Sequence, residues 1–192
     1  MIDSYKSLIK QGLSKKRYQH SIYVADECKK IAKKYGANVN DAYIAGLLHD
    51  AKKDVPLEEL KMLVLSSNIE VEEVELNSPQ LWHAIASCQF ARDELGISNI
   101  DILNAIRYHT VARPNMSLLE KIVYLGDISS EDRTYNDVGK VRKLIYSNLD
   151  SAMLYVLKFV ITKLLSHKGQ VPCTTIQAYN FYLSISKSKN LA

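Results

Sequence analysis

Apolar positions recur every three to four residues along most of the chain and strict alternation is almost absent, a pattern that predicts helices and very little strand. Ser14 is placed to cap a helix carrying Ile22, Val24, Ile31 and Ala32, and Gly36 to end it in a left-handed turn. Asn40 is expected to cap the next helix, DAYIAGLLHD, which is apolar nearly all round and so suits an element enclosed by others. Pro56 opens PLEELKMLVL, whose glutamates lie near the positive end of the helix dipole. Another helix is expected to start at Ser78 and Pro79, run through LWHAIASCQFARDEL and stop at Gly96. In NIDILNAIRYHT the spacing puts Ile102, Ala105, Ile106 and His109 on one stripe. Ser117 then caps SLLEKIVYLGDIS, where Val123, Tyr124 and Asp127 share a face. After the polar stretch SSEDRTYND, residues 129–137, come DVGKVRKLIYSN, DSAMLYVLKFVITKLLSHKG and a last helix beyond Pro172. Short connections and no internal repeat point to one compact all-α domain spanning residues 1–192.

Composition narrows the class without changing it. The chain is 47% hydrophobic and 24% charged, with seven glycines and four prolines, which argues against disorder and against a turn-rich β architecture. A net charge of +4 is dispersed rather than gathered into a block, so it does not call for nucleic acid, though it suits an anionic ligand. Three widely separated cysteines with no CxxC pair indicate neither a disulfide framework nor a thiolate zinc site, and favour a cytoplasmic setting. No segment approaches about 18 uninterrupted apolar residues, and the first residues lack the apolar core of a secretory signal, so neither membrane insertion nor export is expected.

The chemistry is concentrated in a few polar residues that the periodicity turns inward. In GLLHDAKKD, Gly46–Asp54, an imidazole and a carboxylate stand side by side at the end of an apolar helix, where either would be costly to bury alone. His20, His49, Asp50, His83, His109 and Asp127 all lie on inward faces or helix ends, and they come from five separate helices. Six such groups would need six separate buried partners, whereas one metal centre serves them all. Imidazole and carboxylate without thiolate suit iron, manganese, zinc, cobalt or nickel better than calcium or magnesium. Adjacent helical residues splay by roughly 100°, so His49 and Asp50 do not naturally close on one ion. A bridging Asp50 resolves this, with His20, His49, Asp50 and Asp127 around one ion and His83 and His109 sharing Asp50 at a second. Arg17, Lys53, Arg113 and Arg133 lie close in sequence to these ligands, and arginines fork onto phosphate oxygens, so the site reads as one for phosphate ester or anhydride chemistry. Trp82 beside His83, and Tyr179 and Tyr182 on the last helix, suit either the core or stacking on a base.

The stretches RYQHS, AGLLHDAKK, LWHA, AIRYHT, RPNMSLLEKIVYLGD, NLDSAM and VPCTTIQAYN together resemble the HD-domain metal-dependent phosphohydrolase superfamily, and within it the YqeK-type family of bacterial symmetrical diadenosine tetraphosphate hydrolases. The resemblance extends over nearly the whole chain. It implies a helical HD-domain bundle with a divalent metal centre, two iron ions by the family pattern, that cleaves diadenosine tetraphosphate into two ADP. By the same resemblance His20, His49, Asp50, His83, His109 and Asp127 are the metal ligands, and Lys53, Thr110, Arg113 and Arg133 lie near the phosphates; Arg17, one turn before His20, is a further substrate-binding cation expected from its place in the sequence. The expected chemistry is attack of a metal-bound hydroxide on phosphorus, with Asp50, Lys53 and Arg113 in catalytic roles. The expected partner is a dinucleoside polyphosphate or another nucleotide, with no nucleic acid or membrane, and a homodimer is left open. Two departures from the family pattern bear on substrate choice. Ser130 stands where a glutamate is usual, and Val111 and Ala112 stand where a small polar residue and glycine are usual. The competing readings are an HD hydrolase of a different nucleotide, a metal- and nucleotide-binding module without turnover, and a helical interaction domain whose histidines are core residues.

Overall fold

The helical periodicity is realised throughout the computed structural model, which describes residues 2–190. Its helices are α1 (Ile2–Gly12), α2 (Lys15–Tyr35), α3 (Val39–Leu48), α4 (Leu57–Ser66), α5 (Glu73–Leu76), α6 (Trp82–Asp93), α7 (Ile100–Arg107), α8 (Leu118–Ser129), α9 (Val138–Ser147), α10 (Leu149–Ser166) and α11 (Cys173–Asn190). A 3-10 turn at Pro79–Leu81 precedes α6, and there is no strand among the described residues. None of these helices is long and apolar enough to cross a membrane.

The bundle is organised around α2. Val24, Ala25, Cys28, Ile31 and Ala32 form a fully buried stripe at helical spacing, and α3 and α8 pack against that helix. Both neighbours approach it through a glycine. A methyl group on Gly46 of α3 would come within 2.9 Å of Cys28 Sγ, and one on Gly126 of α8 within 2.6 Å, so only a bare backbone fits at either place. These contacts set the site, because His49 and Asp50 follow α3 and Asp127 follows Gly126 directly. A smaller core of Leu60, Val64, Trp82, Ile85 and Ala86 joins α4 to α6. Trp82 belongs to it, and its indole N–H donates to the carbonyls of Glu75 (3.0 Å) and Leu76 (3.2 Å) at the end of α5, which is a structural use of the ring. Tyr182 is likewise buried in the main core.

Several helix limits differ from the sequence expectation, each for a local reason. The cap of α3 is Asn38, whose side chain accepts from the N–H groups of Asn40 and Asp41, so Asn40 lies within the first turn. Ser14 does precede α2, but makes no side-chain cap; its own N–H donates to Asp54 at 2.8 Å. Pro79 begins a 3-10 turn rather than α6 itself, and α7 stops at Arg107, two residues before His109. The amphipathic α1 and the single-turn α5 were not expected. The latter is held by tertiary contacts, since Glu75 forms a buried double ion pair with Arg107 (2.7 and 2.8 Å). Next to it, Glu72 caps the distant start of α11, accepting from the N–H groups of Cys173 and Thr174 at 2.8 Å each.

Candidate metal centre

The six histidines and aspartates picked out by periodicity converge at the centre of the bundle. His20 comes from α2, His49 and Asp50 from the end of α3, His83 from α6, the turn after α7 supplies His109, and Asp127 lies on α8. Two overlapping groups have ligand atoms mutually within 4.8 Å: His20, His49 and Asp50, and Asp50, His83 and His109. Asp50 is common to both. Asp127 stands beside the first group, its Oδ1 lying 3.0 Å from His20 Nε2 and 3.9 Å from His49 Nε2.

Hydrogen bonding at the outer edge of the rings fixes which nitrogen faces inward. His49 Nδ1 donates to the Gly46 carbonyl and His109 Nδ1 to the Ile106 carbonyl, both at 2.7 Å. His20 Nδ1 is held at 2.8 Å by Asp132 Oδ2. In His49 and His109 the remaining Nε2 therefore offers a lone pair to the cluster, the arrangement in which an outer partner orients a metal-binding imidazole, while His20 Nε2 faces Asp127 Oδ1 at 3.0 Å. His49 Nε2 is buried without a hydrogen-bond partner. His83 and His109 aim their Nε2 atoms at one another across 3.2 Å. Asp50 Oδ1 lies 3.0 and 3.5 Å from these two nitrogens, yet it too makes no hydrogen bond of sound geometry. Buried polar atoms left without partners at one point are costly, and a cation bound among them satisfies all of them at once. The residues thus fit a divalent metal, and the nitrogen and oxygen donor set suits a transition metal.

The same burial governs protonation. It pushes the pKa of His49 and His83 down to about 4, so both rings are neutral and able to ligate well below neutral pH. Burial also opposes ionisation of Asp50, but the surrounding His49, His109 and His83 prevail and hold its carboxyl well below the usual carboxylate range. At Asp127 burial is outweighed by the hydrogen bond from His20, and the carboxyl is held low as well. Burial disfavours the charged form of His20, but its hydrogen bond to Asp127 and that residue's charge raise its pKa.

Of the expected phosphate contacts, three reach the cluster. Lys53 Nζ lies 2.9 Å from His83 Nε2 and 3.8 Å from Asp50 Oδ1, and Arg17 is 3.8 Å from Asp50 Oδ2. Arg133 binds Asp127 through both its side-chain oxygen and its carbonyl, and its Nη2 comes within 3.4 Å of His20 Nε2. Thr110 follows His109 and buries a hydroxyl with no partner. Arg113 is different. Its guanidinium forks onto the fully buried Glu120 (2.6 and 2.9 Å), lies over the Tyr108 ring, and thereby ties the loop after His109 to the start of α8. Glu120 also accepts from the N–H of Ser117, completing the cap of α8. In that loop Ala112 is buried at φ 59°, in the left-handed region that favours glycine.

Two residues near the cluster, Asp132 and Arg142, escaped the sequence reading, and Ser130 was singled out there only as a departure from the family pattern. Asp132 holds His20 Nδ1, and Ser130 in turn donates to Asp132 Oδ1 at 2.7 Å, so Ser130 reaches His20 through its neighbour. Arg142 of α9 binds the carbonyls of Ser129 (2.9 Å) and Ser130 (2.7 Å) and fixes the loop that carries Asp132 and Arg133. The only signal in the sequence was a polar loop immediately after a ligand-bearing helix.

Residues 17–132 match the model of the HD domain. Along most of its length the chain is similar to two proteins named symmetrical bis(5'-nucleosyl)-tetraphosphatase. The one from Bacillus subtilis is 35% identical, covering 92% of this chain and 94% of the relative. The one from Halalkalibacterium halodurans is 36% identical, with 90% and 92% covered. Among solved structures, one from Clostridium acetobutylicum, described as a predicted HD superfamily hydrolase involved in NAD metabolism, superposes with a TM-score of 0.92 at 33% identity, over 96% of this chain and 97% of the other.

Proposed function

The chain belongs to the HD-domain family, and on that premise we propose that it is a metal-dependent hydrolase that cleaves diadenosine tetraphosphate symmetrically into two molecules of ADP. The observation that supports this most directly is the division of one buried cluster by Asp50 into two overlapping triads, each with its ligand atoms within 4.8 Å of one another. In this reading His20, His49, Asp50 and Asp127 hold one divalent ion and Asp50, His83 and His109 hold a second, with iron as the metal and manganese, zinc, cobalt or nickel as alternatives. Such ions supply Lewis acidity at phosphorus and make water a competent nucleophile near neutral pH.

The chain's own groups do the rest. Arg17, Lys53 and Arg133 stand on the carboxylates of the cluster, where a polyphosphate brought to the centre meets three cations. Water would add its oxygen to one of the two central phosphorus atoms as the bond from that same atom to the bridging oxygen breaks; the bridging oxygen leaves on the second ADP, and the water's proton passes to solvent. The departing ADP leaves with its charge neutralised by Lys53 and Arg133. The hydroxyl of Thr110 is free to donate to a phosphate oxygen, and Arg113 serves by holding the Thr110 loop against Glu120. The three cysteines are unpaired, in keeping with a cytoplasmic protein.

The test is elemental analysis of protein purified without chelator, followed on the same sample by separation of the products from diadenosine tetraphosphate. About two metal ions per chain with ADP as sole product are expected, and Asp50→Ala loses metal and turnover together. AMP with ATP as products, or an active metal-free Asp50→Ala protein, would refute the reading.

A further inference from the structure

Arg133 belongs to two surroundings. Its guanidinium binds Asp127 at the metal centre, and the same side chain lines a cavity of about 420 Å³ that is otherwise bounded by Ile128, Tyr135, Phe159, Lys163 and His167 among others. The two places are joined by covalent structure as well, since Ile128 follows Asp127 on α8. One wall of the cavity is aromatic: the Tyr135 and Phe159 rings stack with centroids 5.5 Å apart and planes inclined by 21°. Tyr135 comes from the loop fixed by Arg142, and Phe159 from α10. Both rings are only partly buried.

We propose that this cleft receives one nucleoside of the substrate, its base packed on the Tyr135–Phe159 wall and its phosphates running past Arg133 into the metal centre. The inference rests on the reading above that the substrate is a nucleoside polyphosphate, and adds where the nucleoside is recognised. The volume falls in the range of small-molecule sites, which are mostly apolar with a few placed polar groups. An aromatic wall offers a π-face on which any base can stack, and an arginine at the boundary takes the adjoining phosphate. Lys163 and His167 supply the polar rim. His167 Nδ1 is engaged with the Lys163 carbonyl at 2.8 Å, which leaves its Nε2 as an acceptor for an exocyclic amino group such as that of adenine.

Titration calorimetry of ADP and of inorganic pyrophosphate into the metal-loaded protein tests it. The proposal expects wild-type protein to prefer ADP, and Phe159→Leu to weaken ADP binding on the order of tenfold, as loss of a base-stacking ring does. Pyrophosphate binding and metal content stay unchanged in that variant, and Tyr135→Phe, which keeps the ring, stays within about twofold of wild type for ADP. If Phe159→Leu binds ADP as well as wild type while wild type still yields ADP from diadenosine tetraphosphate, the cleft is not the nucleoside site and the proposed activity stands. If both ligands weaken in parallel, the ring supports Arg133 rather than a base, which also overturns the proposal. If wild type prefers neither ligand and yields no ADP, the cleft and the proposed activity fall together.

Discussion

Removing Asp132 tests whether the outer partners of the cluster tune it. His20 is 5% exposed and directs Nε2 inward because Nδ1 is held at 2.8 Å by the Asp132 carboxylate. In Asp132→Ala that charged acceptor is gone, and Nδ1 no longer has the partner that fixes its proton and holds the ring from the outer side. A hydrogen bond to a charged group contributes about 1.5–3 kcal/mol. The Asp132 side chain is 33% exposed, so the lower half of that range applies, about 1.5–2 kcal/mol. At about 1.4 kcal/mol per decade this is roughly a 10- to 30-fold loss of metal affinity, inside the span seen when outer partners of metal ligands are removed. The assay is competition for manganese(II) against a chromophoric chelator at fixed pH. Asp132→Asn keeps an oxygen acceptor without the charge and falls between wild type and Asp132→Ala. Ser130→Ala, which only loosens Asp132, loses a few-fold at most. Wild-type metal affinity in Asp132→Ala would mean that His20 is either oriented by other contacts or not a ligand, and the argument from ring orientation would fail.

Gly126→Ala should destabilise the protein by about 1–3 kcal/mol in urea unfolding, because its methyl would meet Cys28 Sγ at 2.6 Å; adding Cys28→Ala should recover most of the loss, and an undisturbed single variant would contradict the close packing. Arg107→Met should cost about 3–5 kcal/mol, since it strands the carboxylate of Glu75, which is 1% exposed, and a loss below 1 kcal/mol would show that the pair is not buried in solution. Metal-free protein should weaken between about pH 6.5 and pH 4. His49 and His83 have native pKa values of about 4, below the usual 6.5, so the unfolded chain takes up protons there that the native state refuses, and stability is complete only above that window. The loss at pH 5 is on the order of 2 kcal/mol for each ring, opposed in part by His20, whose raised pKa favours the native state as pH falls. Urea midpoints in chelator at pH 7.5 and pH 5 measure it, and equal midpoints would refute it.

What the sequence made legible depended on whether the cause was local. Helical stripes are local, so the inward aim of His109 after Ile102, Ala105 and Ile106 could be read even though α7 ends two residues earlier. The six cluster residues were found in the same way, because each breaks an apolar face. Asp132 and Ser130 break no such face; they lie in a polar loop, and their importance comes from a pairing with His20 across 112 positions. The cap of α11 by Glu72 and the anchoring of α5 by Arg107 are likewise products of tertiary structure. Arg113 shows the reverse case. Its position after the His109 turn suggested a phosphate contact, and the buried Glu120 one helix start away takes its Nε and Nη2, which leaves Nη1 outside that pair. Nearness in sequence to a site does not decide between a substrate and a structural carboxylate, since a guanidinium forks equally well onto either.

The side-by-side placement of His49 and Asp50 acquires its meaning from the end of a helix. Inside a helix two neighbours diverge too far to serve one centre. His49, however, is the C-cap of α3, and residues 49–54 form turns. His49 Nε2 and Asp50 Oδ2 are consequently only 3.7 Å apart. The two oxygens of Asp50 then look in different directions: Oδ2 toward His49 and Arg17, Oδ1 toward His83, His109 and Lys53. A single carboxylate at that position therefore divides the cluster between two helix pairs that have no other ligand in common. A histidine there would offer one inward lone pair and reach one triad only, and a carboxylate placed one turn earlier, on the body of α3, would face the α2 interface instead. The dipeptide is thus an economical way to join two triads, and its position after an apolar, glycine-containing helix is what lets the backbone come close enough to α2 for His20 to take part.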